Sequence, residues 1–453
     1  MKAFYAVLLQ LLFPLTLCSC SEGSAVTRND PAFYPSEKYV EVAYTANADT
    51  LFLEWTMLKD AEFDGFEVYD SNNGAVRLSS DARSHAVPGV PIQQDYKVTL
   101  SLIRDGSAVW STSVTANIDG LDRKIAHRII QDTAGVTGGD GMYSIALPDG
   151  RSVFLMGDSY TSPVVNNTRS TSSHMFRNTY QIYDNGSVTA VTSGENHSAA
   201  VPVDYPDESK WYWPGHGFVA GDVLYIFQFL MYQGADGMWG FRYERTHLLE
   251  YSLPSLTLIR DTPIPYSGPS NIIYGAAAMN DGDYLYIYAQ IDKDTEDIYN
   301  PISVVSCART TVKDIHTKWE YYTGSGWSSN PDDAAELSGL SDVPVSSQFN
   351  VFKLRDKYVL LTRHRVLWEG RIFTYTSDTP FGPWENKKQI FQVPDLGNAD
   401  WFSYNAMAHP QFEQNGRILI SYNVNTNVFS QQFSDVESYR PRFFWYPIDS
   451  ILN

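Results

Sequence analysis

The sequence predicts an all-β protein in which a small β-sandwich precedes a five-bladed β-propeller. Two observations favour the propeller: residues 138–161 form a hairpin pattern with an acidic residue at each end, and patterns of the same design return four more times. The sandwich is predicted because residues 38–118 alternate apolar and polar residues between turn-forming residues. The remaining residues, 119–453, are numerous enough for five units of four strands each.

The first hairpin pattern predicts two strands and a tight turn. Tyr143–Leu147 and Ser152–Met156 are apolar and rich in residues that favour strands, and Pro148, Asp149 and Gly150 between them are turn formers. Antiparallel pairing about this turn brings Asp140 and Asp158 to the same end of the hairpin. The pattern therefore predicts a pair of carboxylates.

The other four hairpin patterns share a strand of small residues, a turn and a strand of alternating apolar residues; they are Trp213–Phe229, Ile273–Gln290, Ser347–His364 and Tyr404–Asn423. The positions equivalent to Asp140 are His216, Tyr274, Gln348 and Asn405, at separations of 57 to 76 residues. Because the first strand of every propeller blade faces the central channel, we expect these five positions to converge on one pocket.

The N-terminus predicts export and lipid anchoring. Residues 1–20 combine a basic start, an apolar run and a small residue before a cysteine, which is typical of an export signal. The window Leu17-Cys18-Ser19-Cys20 resembles the bacterial lipobox, which implies lipidation of Cys20 and a location at the outer membrane, on the cell surface or the periplasmic face. Cys18 is the competing acceptor. A polar linker, 21–37, follows.

Residues 38–118 are predicted to form the sandwich. Trp55, the FEVY segment 66–69 and Tyr96 resemble the pattern of a fibronectin type III or immunoglobulin-like domain. Its role is a spacer that lifts the propeller from the membrane or, alternatively, a second ligand-binding module. At the other boundary, segments 121–132 and 440–448 are the two ends of the propeller, and we expect one of them to complete a blade that the other begins.

Composition limits the partners. The chain has 33 basic and 52 acidic residues and a formal net charge of -19, which disfavours nucleic acid and anionic membrane surfaces as partners. Contact with a membrane is therefore expected only through the lipid. Aromatic residues make up 14% of the chain, a share that suits many β-strands and also suits stacking on sugars. Beyond the signal, Cys307 is the single remaining cysteine and is expected to be buried.

A family resemblance adds an expected activity. Ser377–Glu385, SDTPFGPWE, resembles the blade-end signature of five-bladed furanosidase-type glycoside hydrolases, the arabinanase, β-xylosidase and levanase group. The stretches LPDGRSVFLMGDSY, WYWPGHG, YNAMAHP and ISYNVN are similar to a family of uncharacterised bacterial propellers related to arabinan-degrading propellers. The resemblance runs from Leu121 to the C-terminus. It implies hydrolysis of a furanose-containing or other complex polysaccharide.

That chemistry needs two carboxylates that flank the glycosidic bond. Asp140 matches the position of the first-blade base in the arabinanase-like propellers, and Asp158 is the natural second carboxylate. The resemblance implies further acids on the first strands of the second and third blades, where this chain has His216 and Tyr274. His216 could replace such an acid because imidazole titrates near neutrality, and Glu369 could reach the pocket from the fourth blade.

The remaining candidates are residues that bind a sugar or an ion. Gln348, Asn350 and Asn405 offer amides to sugar hydroxyls, Arg363 and His364 follow the second strand of the fourth hairpin, and Trp211, Tyr212 and Trp213 offer stacking surfaces. The resemblance also implies a histidine beside a central cation, Ca²⁺ or another ion, and His409 is the candidate. A hydrogen-bonded core histidine is the alternative for that residue.

Two other functions are compatible with parts of the sequence. Gly157-Asp158-Ser159 resembles the nucleophile block of a lipase and esterase superfamily, but that fold needs crossover helices and the chain has no helical periodicity of sufficient length. A glycan-binding lipoprotein without catalytic activity, part of a polysaccharide-utilisation system, is the second alternative. A second acid that reaches the pocket beside Asp140 would favour hydrolysis over binding alone.

Overall fold

A computed structural model describes residues 37–192, 206–207, 209–237, 240–294 and 302–453. The chain divides into two compact units, Met1–Leu121 and Asp122–Asn453. The predicted export signal, Cys18, Cys20 and nearly all of the linker lie outside the described residues. No helix in the described ranges is long and apolar enough to cross a membrane.

The first unit contains two antiparallel sheets in its described part. Its strands are β1 (Val40–Asn47), β2 (Thr50–Met57), β3 (Gly65–Asp70), β4 (Gly74–Ser79), β5 (Ser84–Val87), β6 (Asp95–Arg104) and β7 (Ser107–Asn117). The sheet orders are β1-β2-β5 and β4-β3-β6-β7. Alternate residues of both sheets, among them Trp55, Phe66 and Trp110, meet in one core. The strand positions agree with the alternating patterns because alternation places one apolar face against that core.

The second unit contains five antiparallel sheets within the described residues. The strands of the first two sheets are β8 (Gly138–Ala146), β9 (Ser152–Tyr160), β10 (Met175–Phe176), β11 (Thr179–Asp184) and β12 (Ser187–Thr192), then β13 (Lys210–Ala220), β14 (Val223–Gln233), β15 (Phe241–Ser252) and β16 (Thr257–Pro263). The order of the first sheet is β10-β9-β11-β12 with β8 paired to β9, and the order of the second is β13-β14-β15-β16.

The other three sheets follow in chain order. Their strands are β17 (Ile272–Asp281), β18 (Tyr284–Asp294), β19 (Ile302–Thr310), β20 (Glu320–Tyr322) and β21 (Trp327–Ser328), then β22 (Asn350–Leu354), β23 (Lys357–Arg363), β24 (Arg371–Ser377) and β25 (Glu385–Gln392), and finally β26 (Trp401–Gln414), β27 (Arg417–Thr426) and β28 (Arg442–Pro447). Each sheet is ordered as the chain runs.

Short helices complete the second unit. They are α1 (Arg123–Ile129), α2 (Gln431–Ser434) and α3 (Ile448–Leu452), with single 3-10 turns at Val312–Asp314, Pro331–Asp333, Pro394–Gly397 and Val436–Tyr439. All five predicted hairpins are present, and each provides the first two strands of one sheet. These hairpins were predictable because strand alternation and turn residues are local signals.

The first strands of the five sheets form a closed ring. β8 contacts β13, β13 contacts β17, β17 contacts β22, β22 contacts β26, and β26 contacts β8. A hydrogen bond also joins two strands that are not neighbours in this ring, from the Tyr143 hydroxyl on β8 to the carbonyl of Ala276 on β17, at 2.6 Å. The second unit is therefore organised around a common axis, although its first and last strands are more than 250 residues apart.

A β-bulge interrupts four of these first strands. The register shifts between Gly139 and Gly141, between Pro214 and Gly217, between Tyr274 and Ala277, and between Tyr404 and Met407. A bulge leaves an extra residue without a cross-strand partner and turns the side chains that follow it. In the first sheet Asp140 of β8 lies opposite two residues of β9, Gly157 and Asp158, and Gly141 after it has a φ of 97°, which a residue with a Cβ adopts only with strain.

The ends of the unit meet differently from the prediction. Residues 121–132 contain helix α1 rather than a strand, and all three strands of the fifth sheet come from the C-terminal part of the chain. The Asp122 side chain caps α1, and its backbone N–H donates to the carbonyl of Phe443 in β28 at 2.8 Å. The helix forms because Ile125 and Ile129, four residues apart, share one buried face.

Candidate functional site

A cavity of about 1080 Å³ lies where the five first strands meet, and every sheet or its connecting segments contributes to its wall. The contributions of β8, β13, β17 and β26 include Asp140, Trp213, Ile273 and Tyr404, and Gln348 comes from the segment before β22. The cavity wall also holds two further aspartates, Asp158 and Asp292, and three arginines, Arg177, Arg242 and Arg365. The pocket expected from the repeat is therefore present, and it is rich in charged groups.

Asp140 lies where the register between β8 and β9 shifts, and it accepts hydrogen bonds from two tyrosines. The hydroxyls of Tyr404 and Tyr439 are 2.7 and 3.0 Å from Asp140 Oδ2, and the backbone N–H of Asp158 donates to the same carboxylate. Gly157 is needed for this approach, because a Cβ at that position would lie 2.4 Å from Asp140 Oδ1. The carboxyl group is thus held from three sides and still faces the cavity.

Asp158 lies near the end of β9 and has donors on both oxygens. Arg177 Nη1 is 2.9 Å from Oδ2, and Trp213 Nε1 donates to Oδ1 at 2.8 Å. Its side chain is 17% exposed. The Tyr439 hydroxyl is 2.9 Å from the Asp158 carbonyl oxygen, so one tyrosine touches both aspartates.

The two carboxyl groups differ in their electrostatic surroundings. Burial raises the pKa of Asp140, and the neighbouring charge of Asp158 raises it further, to about 7. Burial also raises the pKa of Asp158, but Arg177 and Trp213 act in the opposite direction. Arg177 and Trp213 can only donate, so they stabilise the ionised form of Asp158. The pKa of Asp158 is still raised overall, but these donors make Asp158 the member of the pair that better tolerates a negative charge, and Asp140 the member that better retains a proton.

The predicted aromatic surface is present on one wall of the cavity. Trp211 and Trp213 line it and contact each other edge to face at 5.9 Å, and Phe241 packs against Trp213 at 4.7 Å. Tyr212 lies between them in sequence and therefore points to the opposite side of β13, where its hydroxyl contacts Asp261. The prediction that Tyr212 belongs to this surface is therefore wrong.

Of the three predicted amides, two line the cavity. Gln348 and Asn405 face it, and Gln348 Nε2 donates to the carbonyl of Pro214 at 3.1 Å. Asn350 is buried outside the cavity wall, where its Oδ1 accepts the backbone N–H of Ala408 at 2.7 Å. Asn350 joins β22 to β26 and cannot reach a ligand in the cavity.

His216 and Tyr274 do not reach the cavity, because the bulges of β13 and β17 shift the register beside them. His216 Nδ1 accepts the backbone N–H of Ala278 at 2.9 Å, and burial lowers its pKa to about 4. Tyr274 is fully buried against Trp319 and Tyr321. Instead, β13 presents Trp213 and Pro214 to the cavity, and β17 presents Ile273.

The three candidates of the fourth sheet also lie outside the cavity wall. Arg363 is fully buried; its Nε donates to the Ser403 hydroxyl at 2.8 Å, and its Nη atoms donate to the carbonyls of His364 and Leu367. His364 Nδ1 accepts the backbone N–H of Val366 at 3.3 Å. Glu369 pairs with Arg371 at 2.8 Å near the surface. Arg363 and His364 order the connection after β23, and Glu369 is a partly exposed acid.

His409 is a core residue. Its Nδ1 lies 2.7 Å from the Ser144 hydroxyl and its Nε2 lies 2.9 Å from the Ser421 hydroxyl, so both ring nitrogens are occupied. The ring is fully buried beside Phe154 and Phe443. No group of three or more His, Cys, Asp or Glu side chains that could hold a metal ion occurs among the described residues. These surroundings do not fit the predicted central cation.

Ser159 of the lipase-like motif and the thiol of Cys307 are both buried. Ser159 donates to the Thr179 hydroxyl at 2.8 Å and is fully buried, so it is not exposed as a nucleophile. Cys307 is fully buried and unbridged, as expected, and burial raises the pKa of its thiol.

Sequence reasoning missed several residues of the cavity. Tyr404, Tyr439 and Arg177 contact the aspartate pair, and Asp292 forms a bidentate ion pair with Arg365 on another part of the wall. A local signal exists for Asp292, because it follows the apolar run of its hairpin as Asp158 follows the run of the first hairpin. No local signal marks Tyr439, which belongs to a 3-10 turn.

Comparisons with solved structures show what the fold resembles. A candidate hydrolase from Bacteroides ovatus ATCC 8483 superposes with a TM-score of 0.59 at 21% identity, over 72% of this chain and 89% of that one. A glycoside hydrolase family 32 β-fructofuranosidase from Bombyx mori gives a TM-score of 0.38 at 11% identity, over 69% of this chain and 59% of that one. An exo-1,5-α-L-arabinanase from a bovine ruminal metagenomic library gives a TM-score of 0.32 at 8% identity, over 76% of this chain and 95% of that one.

The first of these similarities supports the all-β architecture, and the other two have TM-scores too low to support an argument. A comparison with curated protein sequences finds no match. Residues 127–446, nearly all of the second unit, match the family model described as Domain of unknown function (DUF5005). Because that match spans well over half of the chain, the protein belongs to the DUF5005 family.

Proposed function

We propose that the protein is a glycoside hydrolase whose second unit, a five-bladed β-propeller, cleaves a furanose-containing or other complex polysaccharide in its central cavity. One observation carries the proposal: Asp140 and Asp158 face the same cavity with unequal electrostatic surroundings. Glycoside hydrolysis needs one protonated and one ionised carboxyl group across the scissile bond. The aromatic wall of Trp211 and Trp213 beside Asp158 suits stacking against a sugar ring.

The contacts support roles opposite to those that the family resemblance implies. Asp140, with a pKa raised to about 7, is suited to protonate the departing oxygen. Asp158, paired with Arg177, is suited to remain ionised and to act as the base or nucleophile. We therefore propose Asp140 as the general acid, in place of the base expected from the sequence.

Substrates with different leaving groups test this assignment. Asp140→Asn should lower turnover of a polysaccharide by several orders of magnitude but lower turnover of an aryl glycoside with an acidic phenol much less, because that leaving group needs no proton. Asp158→Asn should lower both equally. Asp292→Asn is the control, since Asp292 is a cavity aspartate paired with Arg365 away from the pair. Equal losses for both substrates in Asp140→Asn would contradict the acid role.

The substrate itself has to be identified by a screen of the purified protein against a polysaccharide panel, with reducing ends and binding measured separately.

A non-catalytic glycan-binding protein is the second candidate. It is favoured by the hydrogen bonds that occupy both oxygens of Asp158, since such a network can also serve as a fixed binding surface. Binding to a glycan that is never cleaved, unaffected by Asp140→Asn, would support this candidate.

We also propose that the protein is exported and lipid-anchored at the outer membrane through Cys20, on the cell surface or the periplasmic face. The support is the sequence of residues 1–20 alone.

The first unit is proposed to be a fibronectin type III-like or immunoglobulin-like sandwich that acts as a spacer. Support for this assignment comes from its two sheets with a shared core and from Tyr96, whose hydroxyl accepts the backbone N–H of Asn72 at 3.0 Å.

A further inference from the structure

A hydrogen-bond chain within the second unit ends at Asp140. It begins at the Tyr160 hydroxyl, which donates to Gln432 Oε1 at 2.9 Å, and Gln432 Nε2 donates to Asn425 Oδ1 at 2.9 Å. Asn425 Nδ2 lies 3.2 Å from the Tyr404 hydroxyl, which is 2.7 Å from Asp140 Oδ2. The chain thus joins β9, α2, β27 and β26 to the proposed general acid.

The direction of this chain is fixed at Asn425. The backbone N–H of Thr426 is 2.7 Å from Asn425 Oδ1, and a backbone N–H can only donate. The amide oxygen must therefore face Thr426 and Gln432, and the amide nitrogen must face Tyr404. Because Asn425 donates to the Tyr404 oxygen, the single hydroxyl proton of Tyr404 is left to point at Asp140.

Tyr439 is not constrained in this way. Its hydroxyl lies between Asp140 Oδ2 at 3.0 Å and the Asp158 carbonyl oxygen at 2.9 Å. It can donate to the carbonyl and accept a hydrogen bond from a neutral Asp140, or donate to an ionised Asp140. Tyr439 therefore accommodates both protonation states, whereas Tyr404 favours the ionised one.

We propose that Tyr404 is a positioning residue that the Asn425 amide holds as a permanent donor to Asp140, so that it aims the carboxyl group and limits how strongly Asp140 retains its proton. The role in catalysis rests on the proposed function. The other titratable or charged groups that face the Asp140 carboxyl group are Asp158 and Tyr439, with Arg177 behind Asp158. The backbone N–H of Asp158 also donates to Asp140, but among the side chains of these residues none has a fixed donor direction toward Asp140 of the kind that Asn425 imposes on Tyr404.

Tyr404→Phe tests the inference without reliance on activity. The variant keeps the ring and removes one hydrogen bond to a charged group, which corresponds to an upward shift of about one unit or more in the pKa of Asp140. The measurement is a ¹³C carboxyl NMR titration of aspartate-labelled protein, in which the Asp140 signal is the one lost in Asp140→Asn. Tyr160→Phe is the matched control, since it removes a hydroxyl from the far end of the same chain while Thr426 still orients Asn425.

We expect the pKa of Asp140 to rise in Tyr404→Phe and to change little in Tyr160→Phe. Asn425→Asp is a second variant in case Tyr404→Phe does not fold: a carboxylate there draws the Tyr404 proton away from Asp140 and should raise the pKa of Asp140 as well. If a substrate is found, the matching limb of the pH–rate profile should move by the same amount. An unchanged Asp140 titration in Tyr404→Phe and Asn425→Asp, or equal shifts in Tyr404→Phe and Tyr160→Phe, would overturn the inference. A protein without hydrolase activity that still shows the selective shift would contradict only the proposed function.

Discussion

Asp140→Asn should stabilise the protein at high pH, which is unusual for a change at a proposed catalytic site. Burial and the charge of Asp158 raise the pKa of Asp140 from its usual value near 4 to about 7. A carboxyl group whose pKa is higher in the folded state contributes stability below its unfolded pKa, and that contribution is lost as the pH rises through the folded pKa. The wild-type protein should therefore lose stability between about pH 4 and pH 8 through this group.

The magnitude follows from the size of the shift. About three pKa units correspond to about 4 kcal/mol of unfolding free energy at pH values above 8, and this is an upper bound because Asp140 is partly exposed to the cavity. Asparagine has nearly the same shape and no charge, so it resembles the protonated form at every pH. The free energy of unfolding of Asp140→Asn minus that of the wild type should rise with pH over this interval by a few kcal/mol.

The assay is denaturant unfolding of both proteins from pH 5 to pH 9. Asp149→Asn is the control. Asp149 lies at the hairpin turn beside Arg151, which lowers the pKa of Asp149. The free energy of unfolding of Asp149→Asn minus that of the wild type should therefore stay constant over this pH range. If Asp140 served only to cap a turn, Asp140→Asn would be less stable by a similar amount at every pH. If the difference in unfolding free energy between Asp140→Asn and the wild type stayed constant or fell as the pH rises, the electrostatic reasoning would be refuted.

Four further predictions follow from single contacts. Gly157→Ala should lower turnover about 100-fold with little loss of stability, because the new Cβ displaces Asp140 Oδ1 by about 1 Å; wild-type kinetics would contradict this contact. Arg177→Gln should move the acidic limb of the pH–rate profile to higher pH, since Asp158 loses its cation; an unmoved limb would show that Asp158 does not control it. Removal of Arg440–Asn453 deletes β28 and the bond from Asp122 and should unfold the second unit; an unchanged melting temperature would disprove this role. Cys20→Ala should release the protein from the membrane fraction, whereas release by Cys18→Ala alone would assign the lipid to the other cysteine.

Local patterns in the sequence were sufficient for the strands of the five hairpins and for the placement of Asp140 and Asp158 at one end of the first. Alternation of apolar residues and turn chemistry act over a few residues, so they can be read without the fold. Burial of Cys307 was predictable for the same reason, because it lies in an apolar strand. The same reading missed helix α1, since a seven-residue helix gives only two turns of periodic signal.

The tertiary structure alone decided which of the candidates meet and how they are charged. The bulges in β13 and β17 move His216 and Tyr274 away from the cavity, and no local pattern marks a bulge with enough precision to assign the side of a strand. Tyr404 and Tyr439 reach Asp140 from 264 and 299 residues away, and the closed ring of first strands brings them together. The pKa of Asp140 is raised by burial and by the charge of Asp158 while the two tyrosine hydroxyls act in the opposite direction, because a carboxyl group takes its pKa from the groups that surround it in space.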